Sequence, residues 1–363
     1  MRIAAIETYA VGAGWKNWLF VRVITDSGLH GIGEATLNGF IRTTEAAIRE
    51  LEHLAIGQDP RLITALAKRL LDSVSLDGGH IHRTAIAAIE TACWDIVGKS
   101  LGAPVHQLLG GRVRDSVLGY ANGWYRTERT PEAFLAAAHG VIAKGFRALK
   151  LDPFGTAQGF IDEPDLDLAY AIVRKLRDDL GRHVHILIDV HARFTEAEAL
   201  RTARRFANLD IYWWEEVLSP DDTEGYREIK RAHPTLKWTT GEHEYTRYGF
   251  RKLIEERTLD ILQPDVMWVG GMTELLKIAA HASAYDIPVI PHGSGPYSYQ
   301  FIASQTAPSF CEYVAASPDG QSIRPVFGDL FTGEALPVDG KLRLTEAPGF
   351  GMELRDRGML VTL

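Results

Sequence analysis

A chain of 363 residues is too long for one small core and suits a large domain accompanied by a second one. Its composition, 46% hydrophobic and 24% charged, is that of an ordinary soluble globular protein, and a net charge of −8 gives nucleic acid no electrostatic footing. The only cysteines, Cys93 and Cys311, sit in apolar runs without metal or redox spacing, no apolar run reaches membrane-spanning length, and the opening MRIAAIETYAVG lacks signal-peptide anatomy, so reduced buried thiols and a cytoplasmic location are expected.

In chain order, IAAIETYAVG and WLFVRVITDSGLHGIGEAT read as a hairpin system with Asp26-Ser27-Gly28 at a turn. Apolar spacing predicts helices over residues 42–56, 60–73 and 82–101. Residues 1–115 are therefore expected to form an α+β unit. From Val117 the pattern becomes strand–helix alternation. Strands are predicted at 117–122, 146–152, 183–190, 211–216, 238–242, 261–265, 288–292 and 310–314. Thr195-Glu196-Ala197-Glu198 reads as a capping box opening one of the connecting helices. Eight such units point to a closed parallel barrel over residues 116–326. The fold class is thus α/β, a modified TIM (β/α)8 barrel carrying an α+β capping domain. An open doubly wound sheet is disfavoured because no Gly-rich fingerprint follows the first strand. The turn-rich tail, 327–363, is expected to return to the capping domain and complete it.

Barrel chemistry sits where strands end. From the second strand on, ionisable residues stand there: Lys150 and Asp152, Asp189 and His191, Glu215, Glu242, Asp265, His292, and Glu312 within the eighth strand. Buried strand ends seldom carry charge without a partner or a metal. Asp189, Glu215 and Glu242 are spaced by 26 and 27 residues, one β/α unit each, so three carboxylates can converge on one point. Carboxylates so gathered need a cation, and an all-oxygen set favours Mg²⁺ over zinc. An ion pair with Lys or Arg is the competing reading for any one of them. Asp265 beside His292 would set the imidazole tautomer and raise its basicity, making His292 a candidate general base. Lys150 could act as an electrophile toward a substrate carboxylate. His191 is either support for Asp189 or a general acid.

These residues in this order resemble the enolase superfamily, mandelate-racemase subgroup, over nearly the whole chain. The phrase AIETACWDIVGKSLGAPVHQLLGG (88–111) is similar to the family's end-of-cap signature. GYREIKR, GEHEYT, ILQPDVMWVGGMTE, IPHGSGPYS and SPDGQSIRPVF resemble the L-rhamnonate dehydratases, whereas the KLD and DVH patterns resemble the D-galactonate dehydratases. The resemblance implies Mg²⁺ bound by Asp189, Glu215 and Glu242, with Glu215 rather than Glu216 as the ligand. It implies a base dyad of Asp265 and His292, a hydrogen bond from Glu312 to the substrate carboxylate, and substrate contacts from His243 and Asp152. Racemases of the subgroup carry a second lysine where this chain has Asp152. An aspartate is too acidic for the base on the opposite face, so one-base chemistry is expected.

The expected chemistry is that of an acid-sugar dehydratase, in which His292 would take the proton α to the carboxylate, Mg²⁺ would stabilise the enediolate, and the β-hydroxyl would be eliminated to give a 2-keto-3-deoxy acid. Rhamnonate-, lyxonate- or galactonate-like acids are the expected substrates. Alternatives are an epimerase or lactone cycloisomerase of the same superfamily, a metal-dependent barrel hydrolase, and a non-catalytic metal-binding homologue. The expected partners are the sugar acid and further copies of the chain in a homo-oligomer, with no membrane and no nucleic acid. Cap loops at 12–18, with Trp15 and Trp18, and at 36–41 are expected either to close over the barrel mouth or merely to pack the domain interface.

Overall fold

The computed structural model describes residues 1–13, 16–73, 78–293, 295–307, 310–314 and 322–355. Trp15 and the segment SPDGQ (317–321) lie outside the described residues.

The first unit is an antiparallel sheet in the order β1 (Ile3–Ala13), β2 (Lys16–Thr25), β3 (His30–Glu34). Asp26-Ser27-Gly28 makes the β2–β3 turn, with Gly28 at φ 81°, a conformation that costs glycine little. Three helices follow: α1 (Ile41–Ala55), α2 (Ile63–Leu71) and α3 (Gly79–Leu101). The long α3 lies directly on β3. A Cβ on Gly33 would overlap the Ala88 carbonyl oxygen, and one on Gly31 would overlap that of Ala92. Small residues on both elements allow this approach, and Ile89, Ala92, Cys93 and Ile96 then join Val21 and Val23 in one buried cluster. Helix α3 is buried nearly all round because its other side meets the second domain.

After the short α4 (Val105–Leu108), the barrel strands run β4 (Ser116–Asn122), β5 (Ala148–Leu151), β6 (His185–Asp189), β7 (Ile211–Glu215), β8 (Trp238–Thr240), β9 (Ile261–Leu262) and β10 (Phe310–Val314). They pair in parallel in the order β10-β4-β5-β6-β7-β8-β9. The predicted strand at 288–292 is present only as two parallel bridges, Leu262 with Val289 and Asp265 with His292. Pro288 and Pro291 lack the N–H groups a continuous ladder needs. The connecting helices are α5 (Pro131–Ile142), α6 (Glu163–Leu180), α7 (Glu196–Arg205), α8 (Thr223–Ala232), α9 (Thr246–Glu255), α10 (Met272–Ser283) and α11 (Pro296–Ser304). No α-helix follows β10 among the described residues. Thr130, Asp162, Thr195 and Asp222 cap α5 to α8 by accepting from a backbone N–H three residues on. The barrel is filled by Tyr120, Ala148, Leu187, Trp213, Ile261 and Ile290, so its floor is solid and chemistry is confined to the rim.

The tail makes two attachments. Strand β12 (Lys341–Arg343), which follows β11 (Phe331–Thr332), pairs antiparallel with β4 of the barrel, a contact that no local sequence pattern signals. The chain then reaches the capping domain. Asp95 of α3 accepts from Ile32 N at 3.0 Å and Phe350 N at 2.8 Å, and pairs with Lys99 at 2.9 Å. Glu353, in β13 (Glu353–Leu354), pairs with Lys99 at 2.6 Å and His30 at 3.2 Å.

Two outcomes follow from these contacts. Gly33→Ala should destabilise the protein by about 2–3 kcal/mol, because the overlap is with backbone and can be relieved only by moving α3; an unchanged urea midpoint would refute the close-packing account. Partial burial opposes the charge on Glu353, but His30 and Lys99 outweigh it and lower its pKa from 4.5 to about 2. A depressed carboxyl contributes stability above its unfolded pKa and loses it as pH falls through the folded one. The protection factor of the amides at 349–354, with the rate corrected for its intrinsic pH dependence, should therefore fall between about pH 4.5 and pH 2, and should already be lower at neutral pH in Glu353→Gln.

Candidate active site

The C-terminal ends of the barrel strands bring Asn122, Lys150, Asp189, Glu215, Glu242, Asp265, His292 and Glu312 to one rim. Asp189 and Glu215 are direct partners in the β6–β7 register, and Asp265 and His292 are bridged in the same way. Above them lies a cavity of about 340 Å³, walled below by Glu242, Asp265, His292 and Glu312 and above by Lys16, Trp18, Glu34, Thr36 and Asn38 of the capping domain. Trp18 lines this cavity and packs edge-on to Phe327 at 4.8 Å.

Lys150 is 1% exposed and does not reach the cavity wall. Its Nζ lies 2.5 Å from Glu215 Oε1, 3.1 Å from Asp189 Oδ2 and 3.1 Å from Glu312 Oε1. Burial works against its charge, but the three acids overcome this and hold its pKa well above the ordinary value. The electrophile expected from the sequence is here an internal counter-ion. Glu312 also differs from expectation. It accepts from Gly293 N at 2.7 Å and Asn122 Nδ2 at 2.6 Å. Burial opposes its charge, but Lys150 and His292 prevail and bring it down to about 2, so in this arrangement it acts as an acceptor.

His292 Nδ1 is 2.8 Å from Asp265 Oδ2, and its Nε2 lies 3.7 Å from Glu242 Oε2 and 4.0 Å from Glu312 Oε2. Burial disfavours its charged form, yet Glu242, Asp265 and Glu312 lift its pKa to about 10. The Asp265–His292 pair expected from spacing is thus a hydrogen-bonded dyad.

His191 does not continue strand β6, as alternation would require. It stands at φ 52° in a left-handed turn, with Nδ1 3.1 Å from Asp152 Oδ2 and Nε2 3.6 Å from Asp189 Oδ2. Partial burial lowers its basicity, but Asp152 and Asp189 raise its pKa to about 9, so it carries a proton into the cavity it lines. Asp152 itself is occupied by His191 and by Arg193 at 2.6 Å, and it is not part of the cavity wall. His243 also lies off the wall, with Nδ1 2.8 Å from Glu216 Oε1. Neither is placed for the substrate contact expected of it.

The rim carries more negative charge than its cations offset. Burial first, and then Asp189, Glu312 and Glu242 against the opposing Lys150, pushes Glu215 up to about 8. Burial, with Glu216 and Asp189 against His292, pushes Glu242 up to about 7. Glu216 Oε2 is buried without a hydrogen-bond partner among the described residues. These oxygens fit a hard divalent cation. The three residues whose ligand atoms all lie within 4.8 Å of one another are, however, Glu216, Glu242 and His243, because Lys150 sits between Asp189 and Glu215. Glu216 was missed as an active participant. It follows Glu215 directly, and its inward turn depends on φ 43°, which strand alternation cannot foresee. Trp268 was also missed; its ring centroid lies 5.2 Å from that of His292. Glu34 was missed too, although it ends a strand, as the barrel acids do.

Among the described residues no helix is long and apolar enough to cross a membrane. The chain matches the family description "Mandelate racemase / muconate lactonizing enzyme, N-terminal domain" over residues 6–110 and "Enolase C-terminal domain-like" over 133–358. It is 40% identical over 271 residues to an L-rhamnonate dehydratase of Saccharopolyspora erythraea, covering 74% of this chain and 66% of that protein, just under two thirds of its length. It is 33% identical over 356 residues to a D-gluconate dehydratase of Thermoproteus tenax, covering 95% of this chain and 70% of that one. The crystal structure of rhamnonate dehydratase from Gibberella zeae complexed with Mg superposes with a TM-score of 0.86 at 35% identity, covering 99% of this chain and 96% of that chain. Capping domain, barrel, rim acids and these matches agree: the chain belongs to the mandelate racemase / muconate lactonizing enzyme family of the enolase superfamily.

Proposed function

We propose that this protein is a Mg²⁺-dependent acid-sugar dehydratase that removes water from a rhamnonate-, lyxonate- or galactonate-like acid. The observation that carries the reading is the Asp265–His292 dyad, whose free Nε2 faces a cavity between Glu242 and Glu312. Relatives that dehydrate L-rhamnonate and D-gluconate support it.

In this reading Asp189, Glu215 and Glu242 would hold the cation, which would take over the countercharge that Lys150 supplies to the first two, with His243 3.9 Å from Glu242 and hydrogen-bonded to Glu216. Bound Mg²⁺ supplies the positive charge that makes the proton α to a carboxylate acidic enough to remove. His292 takes that proton at Nε2, with Asp265 fixing its tautomer and offsetting the positive charge that results; a cation held by Glu242 would cancel much of the negative charge that raises the imidazole to about 10, leaving it neutral to act as the base. The β-hydroxyl then leaves with a proton as water, and the enol tautomerises to a 2-keto-3-deoxy acid. Hydroxide is a poor leaving group, so a donor is needed, and His191, raised to about 9, supplies one. An epimerase would need a base on the opposite face, and Asp152 there is tied to Arg193 and His191. Polar cap residues around the cavity suit a polyhydroxylated substrate, with Glu34 and Asn38 facing its distal hydroxyls. Assembly into a homo-oligomer is part of the same proposal and rests on the family resemblance.

Activity should vanish in excess chelator and return with Mg²⁺. Saturating Mg²⁺ at about 100 times Kd should also add about 2.7 kcal/mol of stability, readable as a thermal shift; full turnover in chelator would sink the metal assignment. Separately, His292→Asn should abolish both dehydration and exchange of the α-proton with D₂O. His191→Asn should block dehydration while exchange persists. Dehydration near the wild-type rate in His191→Asn would refute the donor role, and exchange surviving in His292→Asn would refute the base.

A further inference from the structure

The loop after β9 runs from the dyad acid Asp265 to the start of α10, and the capping domain grips it at two points. At its middle, the indole Nε1 of Trp268 donates to the backbone carbonyl of Thr36 at 2.9 Å. At its end, Glu90 of α3 accepts from Met272 N at 3.0 Å and Thr273 N at 2.9 Å, capping a barrel helix from another domain. Gly271, at φ 97°, leaves room for that carboxylate, which a Cβ there would strike.

Trp268 is 7% exposed, and its ring lies 5.2 Å from the His292 ring at 36° and 6.0 Å from the His243 ring at 30°. Its own backbone is anchored to the dyad acid, with Trp268 N donating to Asp265 O at 3.1 Å and Val269 N to the same oxygen at 2.8 Å. On the cap side, Thr36 is equally fixed. Its Oγ1 accepts from Leu19 N at 3.0 Å, and its N donates to Glu34 Oε1 at 2.7 Å. A continuous path therefore joins Glu34, on the cap wall of the cavity, through Thr36 and the indole to the imidazole of His292.

We propose that Trp268 is a positioning residue that transmits the seating of the cap loop at 34–38 to the catalytic base. With the loop seated, the indole N–H is satisfied and the ring forms a wall that holds the His292 ring in the plane its bond to Asp265 requires. With the loop lifted, the buried N–H loses its acceptor, and the wall is free to tilt away from the base. A distal sugar group engaging Glu34 would then set the placement of the group that takes the α-proton. Substrate length would be read in turnover as well as in binding. The inference rests on the dehydratase reading for its kinetic part only.

The test is Trp268→Phe, which keeps an aromatic wall and removes the indole N–H, compared with Trp268→Leu, which removes both. Hydrogen exchange of 34–38 and 265–272 reads the link without any substrate. The expected result is faster exchange at both segments in both variants, with α3 protected as in the wild type. With a sugar acid that the wild type turns over, kcat should fall about tenfold in Trp268→Phe and about a hundredfold in Trp268→Leu. KM for a substrate truncated at its distal end should stay within about twofold. Unchanged exchange at 34–38 in Trp268→Phe would overturn the link to the cap. Faster exchange there with unchanged kcat would overturn the link to His292. If no sugar acid is turned over by the wild-type protein, the dehydratase reading fails, and the exchange result still decides the cap link.

Discussion

The arrangement at the barrel mouth depends on one buried ammonium. Lys150 is enclosed by Asp189, Glu215 and Glu312. Removing one partner of a buried ion pair typically costs about 3–5 kcal/mol, because the remaining charge is stranded. Four acids gather around its Nζ or just beyond, so one positive charge is divided among more carboxylates than it can neutralise. Glu312 receives enough of it to stay ionised, whereas Glu215 and Glu242 are pushed toward protonation. The rim thus has a built-in deficit of positive charge. A divalent cation fits that deficit, to which the unpartnered Oε2 of Glu216 adds.

The same deficit explains the histidines. His292 and His191 are each lifted by neighbouring acids, to about 10 and about 9, although burial alone would lower both. Their roles differ by geometry. His292 is bound to Asp265 and faces the cavity between two acids, while His191 is held by Asp152 on a left-handed turn at the other side of the rim. Asp152 is therefore informative in two ways. It is not the second base a racemase needs, and it is the anchor that keeps a proton on His191.

Helix α3 joins the chemistry to the rest of the molecule. One side rests on β3 with no space for side chains at Gly31 and Gly33, Asp95 fastens the returning tail, and Glu90 caps a barrel helix. The cap is consequently a wall of the active site held in register at several separate points.

Much of this was legible in the chain itself. Strand–helix alternation from Val117, the spacing of 26 and 27 residues between rim acids, and ionisable residues at strand ends are local and periodic features, which is why barrel, rim and dyad could be read directly. Only the tertiary structure decided which charges meet. Lys150 as a counter-ion, Glu312 as an acceptor, and Asp152 and His243 engaged with neighbours off the cavity wall follow from distances across the rim that no periodicity encodes. The left-handed turns at His191 and Glu216 re-aim side chains against strand alternation, and the two prolines reduce the seventh strand to bridges. Trp268 and Thr36 are 232 positions apart in the chain, and only the seating of one domain on the other brings them into contact.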